Sequence, residues 1–420
     1  MREVFRNRVG ARNVFWLYAG RGLRSFATAF LTVAFPLYLT QSGYGSGRIG
    51  LVVTLSTLVT AALVAVVGIV SDRVGRKLVL MVLGVLAVFG SIGIAISTAT
   101  LWIAFVSGIS GIGRGGGAGS GGSWGPVFPA EQPLLASAVP AEQRNTVFSR
   151  IAFVGVLAGA GGSLVAALPR LLHSDGLSWI AAYRWLFYLS AALAVLMVAV
   201  TIPLREERIP ASSAMPPTAA EPSLRAGGFL GRLSLTNALN GLGFGFLGPL
   251  LTYWFHARFG VGPAALGTLY AITNLVAALP YLGAARLAQR FGSVWSTTIT
   301  RAVSVVMLLA MAVAPTYALA GLAYVLRMAF NSVSIPLRQS FVMGVSRADQ
   351  RGRMAAFSML PSQLTSTISP VLGGELMQSF LDTPLVGAAV FMTANFILYY
   401  LFFRDLHPPE ETERAAPRSA

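Results

Sequence analysis

The stretch GIVSDRVGRKLVL, residues 68–80, joins two apolar runs, Ile49–Val70 and Leu78–Thr98. Each run has about the 20 residues that a helix needs to cross a bilayer. The short connection between them is polar and carries Asp72, Arg73, Arg76 and Lys77. Gly75 is expected to supply the tight turn, because it lacks a Cβ. Gly68 is expected to let its helix pack closely on a neighbour. Asp72 is placed to accept hydrogen bonds from the N-terminus of a facing helix. Ordinary basic charge beside a membrane helix explains Arg73, Arg76 and Lys77. It does not explain an acid and two glycines at fixed spacing around them.

Further apolar runs extend in both directions. The first set of candidate spans is Asn13–Leu39, Ile49–Val70, Leu78–Thr98, Leu101–Gly122, Val147–Leu168 and Trp185–Ile202. The second is Phe229–Phe255, Ala264–Leu287, Val294–Ala314, Tyr317–Leu337, Met354–Phe380 and Leu385–Phe403. An extended fourth span, kinked by Pro126, Pro129 and Pro133, would end near Val139. Between the sets lies a Pro-, Ala- and Ser-rich segment without apolar periodicity, the composition of a flexible linker. The expected organisation is an N-terminal segment 1–12, a bundle 13–203, a linker 204–228, a second bundle 229–403 and a polar, disordered tail 404–420.

Composition agrees. Of 420 residues, 55% are hydrophobic and 11% charged, against roughly 25% charged in soluble chains; mean hydropathy is +0.68. The net charge of +16 would suggest nucleic acid in a soluble protein. Here the basic residues concentrate in one set of connections: Arg2, Arg6, Arg8 and Arg12, then Arg73, Arg76 and Lys77, then Arg144, Arg150, Arg205, Arg208 and Arg225, then Arg286, Arg290, Arg347, Arg351 and Arg353, while the alternate set carries little beyond Arg48, Arg170, Arg184 and Arg258. That distribution puts both termini and the linker in the cytoplasm and faces the arginines towards anionic lipid. Nucleic acid is set aside as a partner. Lys77 is the only lysine, an arginine bias that suggests a GC-rich bacterial genome. Cysteine is absent and the three histidines lack ligand spacing, so no metal or other cofactor is expected. The basic N-terminus leads into a long apolar run without a small-residue cleavage site, which is read as a retained first helix rather than a signal peptide.

The halves repeat. Gly43, Gly45, Gly50, Arg73 and Gly75 recur 217 residues later as Gly260, Gly262, Gly267, Arg290 and Gly292. Pro129-x-Glu131-Gln132 recurs 207 residues later as Pro336-x-Arg338-Gln339. Internal repeats over six spans are a property of two-bundle transporters.

Gly68, Asp72, Arg73, Gly75, Arg76 and Lys77 fit G-x-x-x-D-R-x-G-R-K, which resembles the cytoplasmic loop of the major facilitator superfamily. The resemblance implies an all-α membrane protein of twelve transmembrane helices in two pseudo-symmetric six-helix bundles. It implies secondary active transport by alternating access. It also implies that these six residues form a latch closing the cytoplasmic side when the protein opens outward. The second-half copy departs from the pattern, with Gln289 for the aspartate and Ser293 for the second arginine. The family's R-x-x-Q-G of helix 4 reads Ser107, Ser110, Gly111, with Arg114 seven residues beyond Ser107. Gly155, Gly159, Gly161 and Gly162 lack the proline of the exporter pattern and are read as packing surfaces. The run Gly111–Gly122 lacks the Lys-Ser/Thr ending of a phosphate loop and follows no strand.

Ionisable residues inside spans are functional candidates. Arg21 and Arg24 share a face of helix 1, with lipid-headgroup contact as the alternative use. Arg114 lies in helix 4, Asn237 and Asn240 in helix 7, and Arg327 and Asn331 in helix 10. In the family these four helices line a central cavity. The favoured cargo is a small organic anion bound by Arg114 and Arg327, with Asn240, Asn331 and Arg24 assisting, and coupled to protons or to anion exchange. Glu131 and Arg338, equivalent in the repeat, are expected to pair as a gate. Expected partners are the small-molecule substrate, membrane lipids and protons, with the protein a monomer. The alternatives are a proton-driven exporter of neutral or amphipathic drugs, and a non-transporting sensor or scaffold. A membrane enzyme would want a cluster of His, Asp or Glu near the interface, and none is seen.

Overall fold

A computed structural model describes residues 8–112, 125–139, 144–206, 224–248, 250–279, 287, 290–345 and 351–406. Regular structure among them is helical: α1 Arg8–Gln41, α2 Ser46–Val74, α3 Arg76–Ile96, α4 Thr100–Ser110, α5 Phe128–Ser137, α6 Arg144–Val165, α7 Leu168–Ser174, α8 Trp179–Thr201, α9 Leu224–Leu247, α10 Leu251–Phe259, α11 Pro263–Ala278, α12 Ser293–Ala312, α13 Tyr317–Val345, α14 Arg351–Ser379 and α15 Thr383–Phe403. Hydrocarbon offers no hydrogen-bond partners, so an apolar chain within it satisfies its backbone by forming helices. Eight helices among the described residues are long and apolar enough to cross a membrane, and α4 and α11 are shorter apolar helices.

Two expected spans are interrupted. The fourth ends at Gly111, which has φ +74° and closes α4 with a left-handed cap; chain resumes as α5, with a proline in its first turn. Arg114 and the rest of the glycine run fall among residues 113–124, outside the described residues. The seventh is divided into α9, ending at Leu247, and α10, beginning at Leu251.

The chain groups into two compact units, residues 1–218 with 249–275, and residues 219–248 with 276–420. In the first, α1 packs on α6 and α8, α3 on α4 and α8, and α2 on α4, while α10 lies against α1. In the second, α9 packs on α14 and α15, and α12 on α13 and α15. Lipid tails are as apolar as leucine, so contact between membrane helices depends on close approach and interhelical hydrogen bonds. Gly162 of α6 abuts the backbone of Phe26, and Gly241 of α9 abuts that of Ser362; a Cβ on either would collide with main chain. Thr60 Oγ1 donates to the carbonyl of Gly108 at 2.8 Å, and Thr365 Oγ1 to that of Ala238 at 2.8 Å. Many large apolar side chains, including Phe89, Leu101 and Val313, are exposed, as on a lipid-facing surface.

The repeat is visible in the backbone. Gly43 and Gly260 have φ +84° and +65°, and Gly75 and Gly292 have φ +110° and +79°. Each pair occupies equivalent helix junctions, where a side chain would strain the backbone.

Candidate functional site

Gly75 ends α2 and begins α3 in a single residue. That leaves the first amides of α3 without helical partners. The Glu206 carboxylate fills this need from well over a hundred residues away, accepting from Arg76 N at 2.8 Å and Lys77 N at 2.9 Å. Lys77 Nζ donates to the carbonyl of Ile202 at 2.6 Å. Just before Glu206, the Arg205 backbone is held by the Asn13 amide: Asn13 Nδ2 donates to Arg205 O at 2.7 Å and Arg205 N to Asn13 Oδ1 at 3.0 Å. The start of the expected linker is thus fixed beneath the 68–77 loop. Arg73 is exposed, and the Asp72 side chain lies outside the described residues. Gly68 is exposed, and an added Cβ there would meet nothing within 4 Å.

Arg21 and Arg24 are three residues apart on α1 and therefore share a face. Glu131 sits in the first turn of α5, where the helix dipole favours a carboxylate. Its Oε2 accepts from Arg21 Nη2 at 2.7 Å and from Arg24 Nη2 at 2.9 Å. The side chains of Arg21 and Glu131 are 1% and 3% exposed, and that of Arg24 is 16% exposed. Arg21 therefore points into the protein and does not reach lipid headgroups. The spacing of 107 residues between Arg24 and Glu131 gave no local hint of the pair.

Arg327 lies in α13, and 3% of it is exposed. Its Nη1 meets Met328 Sδ at 3.6 Å and its Nη2 meets Met392 Sδ at 3.7 Å. The guanidinium lies 5.9 Å from the centroid of the Phe244 ring, and Nε is buried without a hydrogen-bond partner. Thioether sulfur is a weak acceptor, and the buried Tyr324, three residues earlier on α13, also faces this cation. Asn240, half-buried on α9, is one turn before Phe244, and half-buried Asn331 is one turn after Arg327. Three of the expected ligand residues, Arg327, Asn240 and Asn331, thus belong to one unit, whereas Arg24 belongs to the other.

Each member of the expected Glu131–Arg338 gate has a different partner here. Glu131 holds Arg21 and Arg24, and Arg338 Nη1 donates to Asn237 Oδ1 at 2.6 Å. Sequence reasoning passed over Arg301, which is 7% exposed on α12. Its Nη1 donates to Asn395 Oδ1. The same rule that singled out Arg327, a charge inside an apolar span, applied to it.

Two helical units with buried arginines and exposed apolar side chains have the build of a polytopic membrane transporter. The chain belongs to the Major Facilitator Superfamily, whose family model matches residues 17–230 and 233–419. No curated protein sequence matches it. Among solved structures, a bacterial homologue of the human lysosomal transporter Spinster, inward-facing and occupied, superposes with a TM-score of 0.74 at 15% identity, over 95% of this chain and 97% of that one. The xylose transporter XylE from E. coli, inward open, gives 0.69 at 15% identity over 96% and 99%. The human organic anion transporter MFSD10 gives 0.60 at 17% over 94% and 99%. At these identities the likeness is one of fold.

Proposed function

We propose that this protein is a secondary active transporter that moves a small organic anion across the bacterial cytoplasmic membrane by alternating access, with both termini on the cytoplasmic side. The observation that carries this reading is Arg327: a buried guanidinium whose described neighbours include two thioethers, an aromatic ring and the buried Tyr324, with no carboxylate among its described ion pairs. A permanent charge in such a site gains most from a ligand of opposite sign, because Coulomb attraction grows as the dielectric falls. Asn240 and Asn331, on the helices that carry Phe244 and Arg327, supply hydrogen bonds. Coupling is to protons or to exchange for a second anion. The 68–77 loop acts as the conformational latch, and the protein works as a monomer.

The test is uptake into proteoliposomes from a mixed pool of small carboxylates and phosphate esters. It is run with and without a pH gradient, and with and without internal counter-anion. Uptake of at least one anion, abolished in Arg327→Gln while that variant stays folded, supports the reading. Transport of cationic or neutral amphipathic dyes with anions ignored overturns it and favours the drug exporter.

A further inference from the structure

Arg327 is not the only buried cation of its unit. Buried Arg301 on α12 and half-buried Arg338 on α13 are linked to adjacent residues of α9, Arg301 through Asn395 of α15 and Arg338 directly. Arg338 Nη1 donates to Asn237 Oδ1 at 2.6 Å. Arg301 Nη1 donates to Asn395 Oδ1, and Asn395 Nδ2 in turn donates to the carbonyl of Thr236, the residue before Asn237. That second bond fixes the amide, so its oxygen faces Arg301 and its nitrogen faces away. Arg301 Nε is buried without a hydrogen-bond partner.

These acceptors are neutral amide oxygens. No aspartate or glutamate occurs anywhere between Glu221 and Asp349 in the sequence, and only Glu375, Asp382 and Asp405 follow before residue 407. Asp349 lies outside the described residues. Exposed Glu375 accepts from Gln378 at 2.8 Å, Asp405 faces Arg404 at 3.6 Å, and Asp382 sits at the N-terminus of α15. The ion pairs among the described residues include none for Arg301, Arg327 or Arg338. Tying α12 to α15 needs only a donor for the Asn395 oxygen, which a glutamine would supply without charge. Burying ionised groups away from water is costly unless an opposite charge meets them, so the guanidinium points to a use beyond the tie.

The position is related to Arg327 by one helical turn. Ser304, three residues after Arg301 on α12, donates to the carbonyl of Arg327 at 3.3 Å. On α15, Met392 touches Arg327 and Asn395, three residues on, touches Arg301. The two arginines therefore occupy successive levels of one wall, about 5.4 Å apart along the helices.

We infer that Arg301 and Arg338 form a second anion-binding position, one turn from Arg327, which takes a compact anionic group: a carboxylate, a phosphate group or a halide. The group has two sources, the second acid group of a dianionic solute whose first group sits on Arg327, or a separate inorganic anion. The position holds independently of whether Arg327 binds the transported solute.

The experiment is thermal unfolding of the full chain in nanodiscs in a buffer whose only anion is bulky gluconate. Chloride, inorganic phosphate, acetate and succinate are titrated separately. The wild type is expected to show a saturable rise in midpoint with at least one of them. Arg301→Gln should lose that rise or need at least tenfold more anion. If Arg301→Gln does not fold, Arg338→Gln is read the same way. A chloride or phosphate response that survives Arg327→Gln identifies an inorganic anion. Succinate binding at least tenfold tighter than acetate, lost in both Arg301→Gln and Arg327→Gln, identifies the second group of a dianion. Failure of the transport proposal leaves the inorganic response intact, so the two ideas fail separately. The inference is overturned if the wild type shows no saturable rise, or if Arg301→Gln and Arg338→Gln respond to all four anions as the wild type does.

Discussion

Replacing Glu131 by glutamine removes the carboxylate shared by Arg21 and Arg24 while keeping the volume of the side chain. Both guanidinium groups touch one oxygen, at 2.7 and 2.9 Å. At a separation of ~6 Å and an effective dielectric near 20, two positive charges repel by ~3 kcal/mol. Removing one member of a buried pair costs about 3–5 kcal/mol in measured cases, so a destabilisation of about 3 kcal/mol is expected for Glu131→Gln. Arg24→Gln should cost less, about 1 kcal/mol, because Arg24 keeps 16% of its side chain exposed and solvent screens its charge. The double variant Arg21→Gln/Glu131→Gln should be more stable than the sum of its singles by about 1.5–3 kcal/mol, the coupling expected of residues in one charged network. Unfolding in nanodiscs, followed by tryptophan fluorescence, measures all five proteins: the wild type, the three single variants and the double variant. Strict additivity, or a Glu131→Gln variant within about 0.5 kcal/mol of the wild type, would falsify the view that this triad is a strongly coupled buried network.

Three further outcomes follow from the geometry. Gly75→Ala should cost about 1–3 kcal/mol for its φ of +110°, whereas Gly68→Ala, with open space around it, should unfold with the wild type; equal midpoints for all three would show the turn to be unstrained. Glu206→Ala should lower stability by about 1 kcal/mol, the usual worth of a helix cap, and hydrogen exchange should quicken at the amides of Arg76 and Lys77; unchanged exchange there would remove the carboxylate from the cap. Gly162→Leu should cost about 1–3 kcal/mol or block folding, since the atom it meets is the main chain of Phe26, while Gly161→Ala meets only the ring of Phe26 at 3.7 Å and should be tolerated.

The architecture was legible because membrane helices impose their length on the sequence and because the repeat fixed its junctions: Gly43 with Gly260, and Gly75 with Gly292, share positive φ angles. The breaks in the fourth and seventh spans were harder to see. A proline or glycine inside a span is compatible with a kink or with an end, and here Gly111 ended α4. Interior charges were legible as candidates but not as partners. Periodicity places Arg21 and Arg24 on one face, yet only the packing of α5 on α1 brings Glu131 to them. Arg327 was found by its depth in an apolar span, whereas Arg301 was overlooked. Glu206 was hidden because the linker's composition suggested uniform flexibility, while its first residues answer unsatisfied amides in α3.

That last contact bears on where the polypeptide can be severed. Asn13 grips both backbone groups of Arg205, and Glu206 closes the first turn of α3. A split version of the protein, with its halves expressed as separate fragments, should therefore break after Glu206. A first fragment stopping at Pro203 would give up the clamp and the cap together and expose raw amides beside the loop that carries the family's sequence mark.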